Sequence, residues 1–214
     1  MNTAGDRPIE AVCFDLGGVL IRICRSWEEG CAAAGVEPRG ESGAMAQSNA
    51  LRALVAALER GEIEAEAFFE IVSMGSGGLY SAAEVEAVHG AWLREPYEGC
   101  EPVVRSLLAN RDLRLGCLSN TEKRHWAVMR RAPAVALLEH AHASHLLGHR
   151  KPDAAIFQAF ELAVGVKGPG VLFFDDLEEN VVAAASHGWR TVQIDHTGDT
   201  AAQIDRALRA HGLL

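Results

Sequence analysis

The sequence predicts an α/β protein with a doubly wound parallel sheet and an inserted helical cap domain. Short apolar runs at residues 9–14, 113–118 and 171–174 have the length and composition of buried strands. From residue 97 onward such runs alternate with apolar residues at helical spacing, which indicates parallel strands joined by right-handed crossovers. Between the first run and the second, residues 22–96 show helical spacing alone.

These patterns predict a core built from residues 1–21 and 97–214 and a helical cap formed by residues 22–96. The cap leaves the core just after the first strand, so we expect it to lie over the strand ends like a lid. Inside it we predict helices that start at capping boxes (Ser26 with Glu29, Ser81 with Glu84), a loop through Ser42 and Gly43, and no strand. Weaker strands are expected at residues 144–147 and 191–194, and Thr200 is expected to cap the last helix.

Composition limits the function classes. The net charge of −9 argues against partners such as nucleic acid or an anionic membrane surface. No apolar run approaches the ~20 residues of a membrane span, and the first residues lack the apolar segment of a signal peptide. The five cysteines form no CxxC pair, and Cys13 and Cys117 lie inside apolar runs. A cytoplasmic location is therefore expected.

Polar residues follow the apolar runs where ligand sites of parallel sheets collect. Asp15 follows the first run, Ser119 and Asn120 end the next, and Asp175 with Asp176 follow a later one, while Lys151 precedes a helix. Two carboxylate positions near a backbone carbonyl suit Mg²⁺. A hydroxyl, backbone N–H groups and a lysine can hold a phosphate. A carboxylate beside them can attack phosphorus.

This set resembles the haloacid dehalogenase superfamily of hydrolases, and specifically its branch with a small helical cap (cap class 1). The four segments that carry the resemblance, in the family's order, are Phe14-Asp15-Leu16-Gly17-Gly18-Val19, Leu118-Ser119-Asn120, Arg150-Lys151-Pro152-Asp153, and Phe173-Phe174-Asp175-Asp176-Leu177-Glu178-Glu179-Asn180.

The resemblance implies a Mg²⁺-dependent phosphatase of small phosphorylated metabolites that forms an aspartyl-phosphate on Asp15. It implies catalytic roles for Asp15, Ser119 and Lys151. Phosphate would be bound by Ser119, Asn120 and Lys151. The metal would be held by Asp15, the Gly17 carbonyl and Asp176, with Asp175 and Asn180 supporting it.

One residue departs from the family pattern. Gly17 stands where most members carry a second Asp, the general acid for the leaving oxygen. Positioned proton transfer is worth ~10²–10⁴-fold in rate. We therefore expect a preference for good leaving groups, such as aryl, acyl or sugar-1-phosphates, unless Glu28 or Glu29 of the cap supplies the acid. Gly17 is also expected to adopt a positive φ.

Three other functions are compatible with these residues. A 2-haloacid dehalogenase would use the same nucleophile, although Gly17 and Val19 do not match the dehalogenase pattern Asp-x-Tyr-Gly-Thr. A catalytically silent domain could bind a phosphorylated ligand or a partner protein. A phosphoryl-receiving signalling domain would share the paired acids, but it would carry no helical insert at this place. Substrate identity and oligomeric state are left open.

Several residues also have a purely structural interpretation. Asp176 could cap the next helix together with Glu179. Arg22, Arg25 and Trp27 lie where the cap leaves the core and could contact substrate, but we expect two solvated arginines and a packed tryptophan. Four histidines suggest zinc by their number but lack ligand spacing, and we do not predict a zinc site there. They are His140, His142, His145 and His149.

Overall fold

A computed structural model describes residues 7–40 and 49–214. The predicted loop at Ser42 and Gly43 lies outside these residues. The strands are β1 (Ala11–Phe14), β2 (Ile21–Ile23), β3 (Leu93–Pro96), β4 (Arg114–Ser119), β5 (His140–Ala143), β6 (Val171–Asp175) and β7 (Arg190–Gln193). The helices are α1 (Trp27–Ala34), α2 (Asn49–Glu59), α3 (Ala65–Gly75), α4 (Ala82–Gly90), α5 (Cys100–Leu107), α6 (Lys123–Met129), α7 (Ser144–Leu147), α8 (Ala154–Val164), α9 (Glu178–Ser186) and α10 (Thr200–Ala210).

The central sheet is parallel, in the order β5-β4-β1-β6-β7. Its middle strand β1 is buried on both faces. Val12 and Phe14 point into one apolar layer with α5, α6 and α10, whereas Ala11 and Cys13 point into a second layer with α8. Helices on both faces account for the continuous apolar run of β1. The predicted doubly wound sheet is therefore confirmed.

The strand register brings the polar residues to one edge. Phe14 lies opposite Cys117 of β4 and Phe174 of β6. The backbone N–H of Asp15 then donates to the Phe174 carbonyl at 2.8 Å. The same edge of the sheet consequently carries Asp15 directly after β1, Ser119 at the end of β4 and Asp175 at the end of β6.

Helices α1 to α4 share an apolar cluster of their own. Trp27 is buried there and meets Tyr80 edge-on at 5.2 Å, as the predicted packing of this tryptophan requires. Ser26 caps α1, and Ser81 with Glu84 forms the predicted capping box of α4. These helices bury apolar surface against one another.

The prediction that the cap contains no strand is wrong. Strands β2 and β3 pair antiparallel where the chain enters and leaves the helical segment, with Ile21 opposite Pro96 and Ile23 opposite Leu93. Strands of three and four residues that mix charged and apolar side chains are too short to show an alternating pattern.

Two smaller predictions are also wrong. Residues 144–147 form α7, and the strand is the preceding segment, His140–Ala143. Histidine and alanine alternate in this edge strand, so it lacks the apolar run of the central strands. Helix α10 is capped by Asp199, whose side chain accepts from the N–H of Ala202, rather than by Thr200.

In the described parts of the chain, no helix combines the length and the hydropathy needed to cross a membrane.

Candidate active site

A tight turn after β1 forms the floor of the site. The Leu16 carbonyl accepts from the N–H groups of Leu20 and Ile21 at 2.9 and 2.8 Å, so the chain reverses directly after Asp15. The positive φ of this turn, +85°, belongs to Gly18 and not, as expected, to Gly17. A Cβ on Gly18 would stand 2.5 Å from an Asp176 oxygen. Gly18 is therefore required both by backbone conformation and by the approach of Asp176.

Lys151 joins two of the predicted acids. Its side chain is 1% exposed, and its Nζ lies 2.8 Å from Asp15 Oδ1 and 2.7 Å from Asp175 Oδ2. Ion pairing is what makes a fully buried ammonium tolerable. Lys151 thus fixes the orientation of the Asp15 carboxylate.

Asn120 holds Lys151 through the backbone. Its Nδ2 donates to the Lys151 carbonyl, and its Oδ1 accepts from the Lys151 N–H, both at 2.8 Å. One Nδ2 hydrogen and the Oδ1 atom of Asn120 are thereby engaged, which leaves its second Nδ2 hydrogen as a donor for a phosphate. Ser119 beside it is 2% exposed at the end of β4.

Asp175 has hydrogen bonds on both oxygens. Both oxygens accept from Asn180 Nδ2 at 3.1 Å. Oδ1 also accepts from the Leu177 N–H at 2.9 Å, and Oδ2 accepts from Lys151. Asn180 is itself buried, and its Oδ1 finds no partner among the described residues. Asp175 therefore holds Lys151, Asn180 and the start of α9 together.

Asp176 is placed differently. It does not cap α9, whose N-cap residue is Leu177 and has no side-chain cap. Instead its Oδ2 accepts from Arg25 Nη1 at 2.7 Å. Arg25 is exposed, as expected, but its guanidinium also reaches from the helical segment into the site. No local pattern could have shown a contact between residues so far apart in sequence. Arg22 instead stacks on Tyr97 at 4.3 Å.

Burial and the close approach of three carboxylates shift the pKa values in the site. Burial raises the pKa of Asp15 to about 7, helped by the nearby charges of Asp175 and Asp176 and opposed by Lys151. Burial alone would lower the pKa of Lys151, but its two ion pairs outweigh that effect and raise it. The site therefore keeps its lysine charged and places Asp15 near the midpoint of its titration at neutral pH.

The donor set fits a hard divalent cation. Asp15, Asp175 and Asp176 each offer an oxygen, and the three atoms lie within 4.8 Å of one another. Asp175 is already saturated with hydrogen bonds, which leaves Asp15 and Asp176 as the ligands with oxygen atoms to spare. Oxygen donors of this kind suit Mg²⁺.

Two of the four histidines that were considered for zinc make other contacts. His142 packs edge-on against Phe160 at 5.7 Å, and His145 Nδ1 contacts the Thr121 carbonyl at 3.0 Å. Of the cap acids considered as substitutes for the missing one, Glu29 accepts from the Arg25 backbone N–H at 2.8 Å.

Comparison with known proteins gives relatives in sequence and in structure. "Phosphatase MT3486" of Mycobacterium tuberculosis (strain CDC 1551 / Oshkosh) is 35% identical over 71 residues, which is 33% of each chain, so the match spans a third of that phosphatase. A solved HAD-like hydrolase from Porphyromonas gingivalis aligns with a TM-score of 0.73 and 27% identity, over 95% of this chain and 99% of that one.

The HAD family enzyme bt-2542 from Bacteroides thetaiotaomicron shares the fold, with a TM-score of 0.73 and 23% identity over 90% of this chain and 97% of that one. That enzyme has also been solved in complex with magnesium and inorganic phosphate. The family model of haloacid dehalogenase-like hydrolases matches residues 9–188, which include all four sequence motifs. The chain is therefore an enzyme of the haloacid dehalogenase-like hydrolase family.

Proposed function

We propose that this hydrolase is a Mg²⁺-dependent phosphatase that acts on small phosphorylated metabolites through an aspartyl-phosphate on Asp15. The observation that carries the proposal is the buried Lys151 ammonium, which pairs with Asp15 and Asp175 beside Asp176. A fixed carboxylate next to a lysine and a metal-binding acid is the arrangement that phosphoryl transfer to an aspartate requires.

The proposed metal ligands are Asp15, the Gly17 carbonyl and Asp176, with Asp175 and Asn180 orienting them. When bound, Mg²⁺ would neutralise charge on the phosphoryl oxygens. Ser119 and Lys151 would hold the same oxygens from the other side. The relative bt-2542 has been solved with magnesium and inorganic phosphate, which supports this assignment.

In the proposed reaction an Asp15 oxygen attacks phosphorus, and the bond between phosphorus and the ester oxygen breaks with its electron pair on that oxygen. The released oxygen takes its proton from water, because Gly17 offers none. A water molecule then cleaves the aspartyl-phosphate, and inorganic phosphate and free Asp15 result. Good leaving groups, including sugar-1-phosphates, are the proposed substrates.

We further propose that the chain divides into a core (1–21 and 97–214) and a small helical cap (22–96) that selects the substrate. The contact of Arg25 with Asp176, and that of Glu59 at the end of α2 with Arg150 at 2.8 Å, support this division, since they place the helical segment beside the catalytic edge. The five free, buried cysteines support a reducing, cytoplasmic setting.

The test is Asp15→Asn, assayed with Mg²⁺ against a panel of phosphorylated metabolites. We expect turnover to be abolished while circular dichroism shows an intact fold, because the amide keeps the shape of the carboxylate but is not a nucleophile. Asp112→Asn, in an exposed turn, is the matched control and should retain wild-type turnover. Wild-type activity in Asp15→Asn would show that another residue is the nucleophile.

A second candidate is hydrolysis of a carbon–halogen bond with the same nucleophile. A halide leaves without taking up a proton, so this reaction needs no general acid. The absence of an acid at Gly17 is therefore favourable to this candidate. Turnover of a 2-haloacid in the presence of a chelator would support this candidate. Binding of phosphate esters with no turnover of any substrate would instead indicate a silent binding domain.

A further inference from the structure

A second group of metal-binding side chains lies where α4 of the helical segment meets the start of α6. His89 comes from α4, while Glu122 and His125 come from the core. One donor atom from each residue lies within 4.8 Å of the other two. The side chains are 13%, 5% and 14% exposed, so the group is largely shielded from solvent. None of the three takes part in the proposed phosphatase reaction.

The hydrogen bond of His125 determines which nitrogen is free. His125 Nε2 lies 2.8 Å from the His89 carbonyl oxygen, and a carbonyl can only accept, so Nε2 carries the proton. His125 Nδ1 then has a lone pair, and this atom stands 4.0 Å from Glu122 Oε1. Both atoms are acceptors, so a cation between them could bind both.

Glu122 is held in place for such a role. Its Oε1 accepts from the backbone N–H of His125 at 2.6 Å, and its Oε2 accepts from that of Arg124 at 2.7 Å. Arg124 is the nearby cation, but its guanidinium pairs with Glu66 and Glu86 of the helical segment. The Glu122 carboxylate thus lacks an ion-pair partner among the described arginines and lysines.

The imidazoles are suited to a metal as they stand. Burial, with smaller contributions from His125 and Arg124, lowers the pKa of His89 to about 3. Burial also lowers the pKa of His125, against the opposing effects of its hydrogen bond and of Glu122. Both rings are therefore neutral at pH 7, and neutral imidazole is the form that binds metals.

We propose that His89, Glu122 and His125 form a Zn²⁺ site that links α4 to α6. Two imidazole nitrogens and one carboxylate oxygen are a ligand set that Zn²⁺ accepts, with water in the fourth position. The bond from His125 Nε2 to a backbone carbonyl is the support that metal-binding histidines usually have.

Binding requires one movement. The two rings stack at 4.0 Å with planes 8° apart, so their lone pairs run nearly parallel and do not yet converge. His89 Nε2 is 3.8 Å from Glu122 Oε1, and its ring nitrogens make no hydrogen bond within the described chain. The His89 ring also contacts Phe69 edge-on at 5.2 Å and Phe68 at 6.1 Å. Turning it toward Glu122 therefore disturbs these ring contacts but breaks no hydrogen bond.

The consequence is a metal-dependent link between the helical segment and the core. Glu122 lies two residues after Asn120, so the link would reach the segment that carries the proposed phosphate-binding residues. It does not depend on the phosphatase proposal, because its residues and its metal are different.

The experiment is calorimetric titration of the full-length protein with Zn²⁺, in wild type and in variants that keep side-chain size. Asp176→Asn removes an active-site ligand, and we expect it to retain this Zn²⁺ site. His89→Gln and Glu122→Gln each remove one ligand, and we expect them to weaken binding at least 100-fold, beyond the ~10–100-fold that loss of an outer-shell partner costs. Exposed His211→Ala is the matched control and should bind as wild type does.

Co²⁺ serves as the spectroscopic probe. Wild type and Asp176→Asn should give a visible absorption band of four-coordinate Co²⁺ that both glutamine variants lack, with unchanged circular dichroism in all four proteins. Unchanged Zn²⁺ affinity in His89→Gln and Glu122→Gln would overturn the proposal. Loss of all Zn²⁺ binding in Asp176→Asn would overturn it as well, because the metal would then belong to the active site.

Discussion

Asp15 shares its pocket with two other acids, and Lys151 and Arg25 are the cations that pair with these acids in the described part of the chain. The pKa of Asp15 is about 7 in the folded protein and about 3.9 in an unfolded chain. A raised carboxyl pKa stabilises the fold fully below about pH 4, and this stabilisation disappears as the pH rises to about 7. The raised pKa of Lys151 acts only at high pH, outside this window.

We therefore expect the melting temperature of the chelator-treated protein to fall between pH 5 and pH 8, and to fall less in Asp15→Asn. Thermal melts of both proteins across this range are the measurement. Because metal binding expels the proton, Mg²⁺ should bind more tightly at pH 8 than at pH 5. If the melting temperature fell equally with pH in the two proteins, the assignment of this titration to Asp15 would be contradicted.

The two glycines of the turn predict opposite responses to substitution. A Cβ on Gly17 meets only the flexible end of Ile23, at 3.2 Å, whereas one on Gly18 overlaps Asp176 and Arg25 and needs a positive φ. Gly17→Ala should therefore fold normally. Gly18→Ala should be destabilised by at least about 1 kcal/mol, because a left-handed backbone alone costs an L-residue that much. Urea unfolding of the two variants measures the difference.

Gly17 also permits a test of the missing acid. For esters of falling leaving-group pKa, we expect kcat/KM of the wild type to rise steeply, and Gly17→Asp to flatten the dependence by raising the slow substrates ~10²-fold or more. Gly17→Ala serves as the control for added bulk. A flat dependence in wild type would show that another group donates the proton.

At the scale of the elements, the clearest strand signals belong to the middle of the sheet, although the edge strand predicted at residues 191–194 was also found, as β7. β1, β4 and β6 are continuous apolar runs because helices cover both faces of the sheet, so their position and the polar residues that follow them were predictable. β5 lies at the edge and has only one neighbour, so its residues need not be apolar. β2 and β3 pair with each other in a separate two-stranded sheet, and each is too short to show the alternating pattern that would predict a strand.

The site likewise contains residues that the sequence could predict and contacts that it could not. Asp15, Ser119 and Asp175 were predictable from their place after a strand. The contacts of Arg25 with Asp176 and of His89 with Glu122 join segments distant in sequence, and only the packed structure brings them together.

The connection between Asn120 and Lys151 ties the end of β4 to the segment between α7 and α8. Asn120→Ala would leave the Lys151 backbone N–H and carbonyl without these partners, at a cost of about 1–3 kcal/mol. We expect kcat to fall as Lys151 loses its position, with an accompanying loss of stability. Asn110→Ala, in an exposed turn, is the control, and equal effects of the two substitutions on kcat would contradict a positioning role for Asn120.

For the whole molecule, the proposed site joins segments from both ends of the chain, so ligands should stabilise the entire fold. Mg²⁺ and phosphate at about 100 times their dissociation constant should contribute about 2.7 kcal/mol. In a chain of this length that raises the melting temperature by roughly 5–10 °C. Scanning calorimetry measures this shift, and Asp176→Asn should remove most of it. An equal shift in Asp176→Asn would place the ligands elsewhere.

The β2–β3 pair gives the molecule a property that its helices alone would not. Ile23 and Leu93 are paired residues, so the chain departs from the catalytic edge and returns to it at neighbouring points. Everything between them is inserted through a single narrow stem. A different helical insert, or a two-residue hairpin turn, could be grafted onto that stem with little displacement of Asp15. Under the cap function proposed above, the segment that selects the substrate enters and leaves the core at one place, so protein engineering could exchange it while Asp15 and its neighbours stay in position.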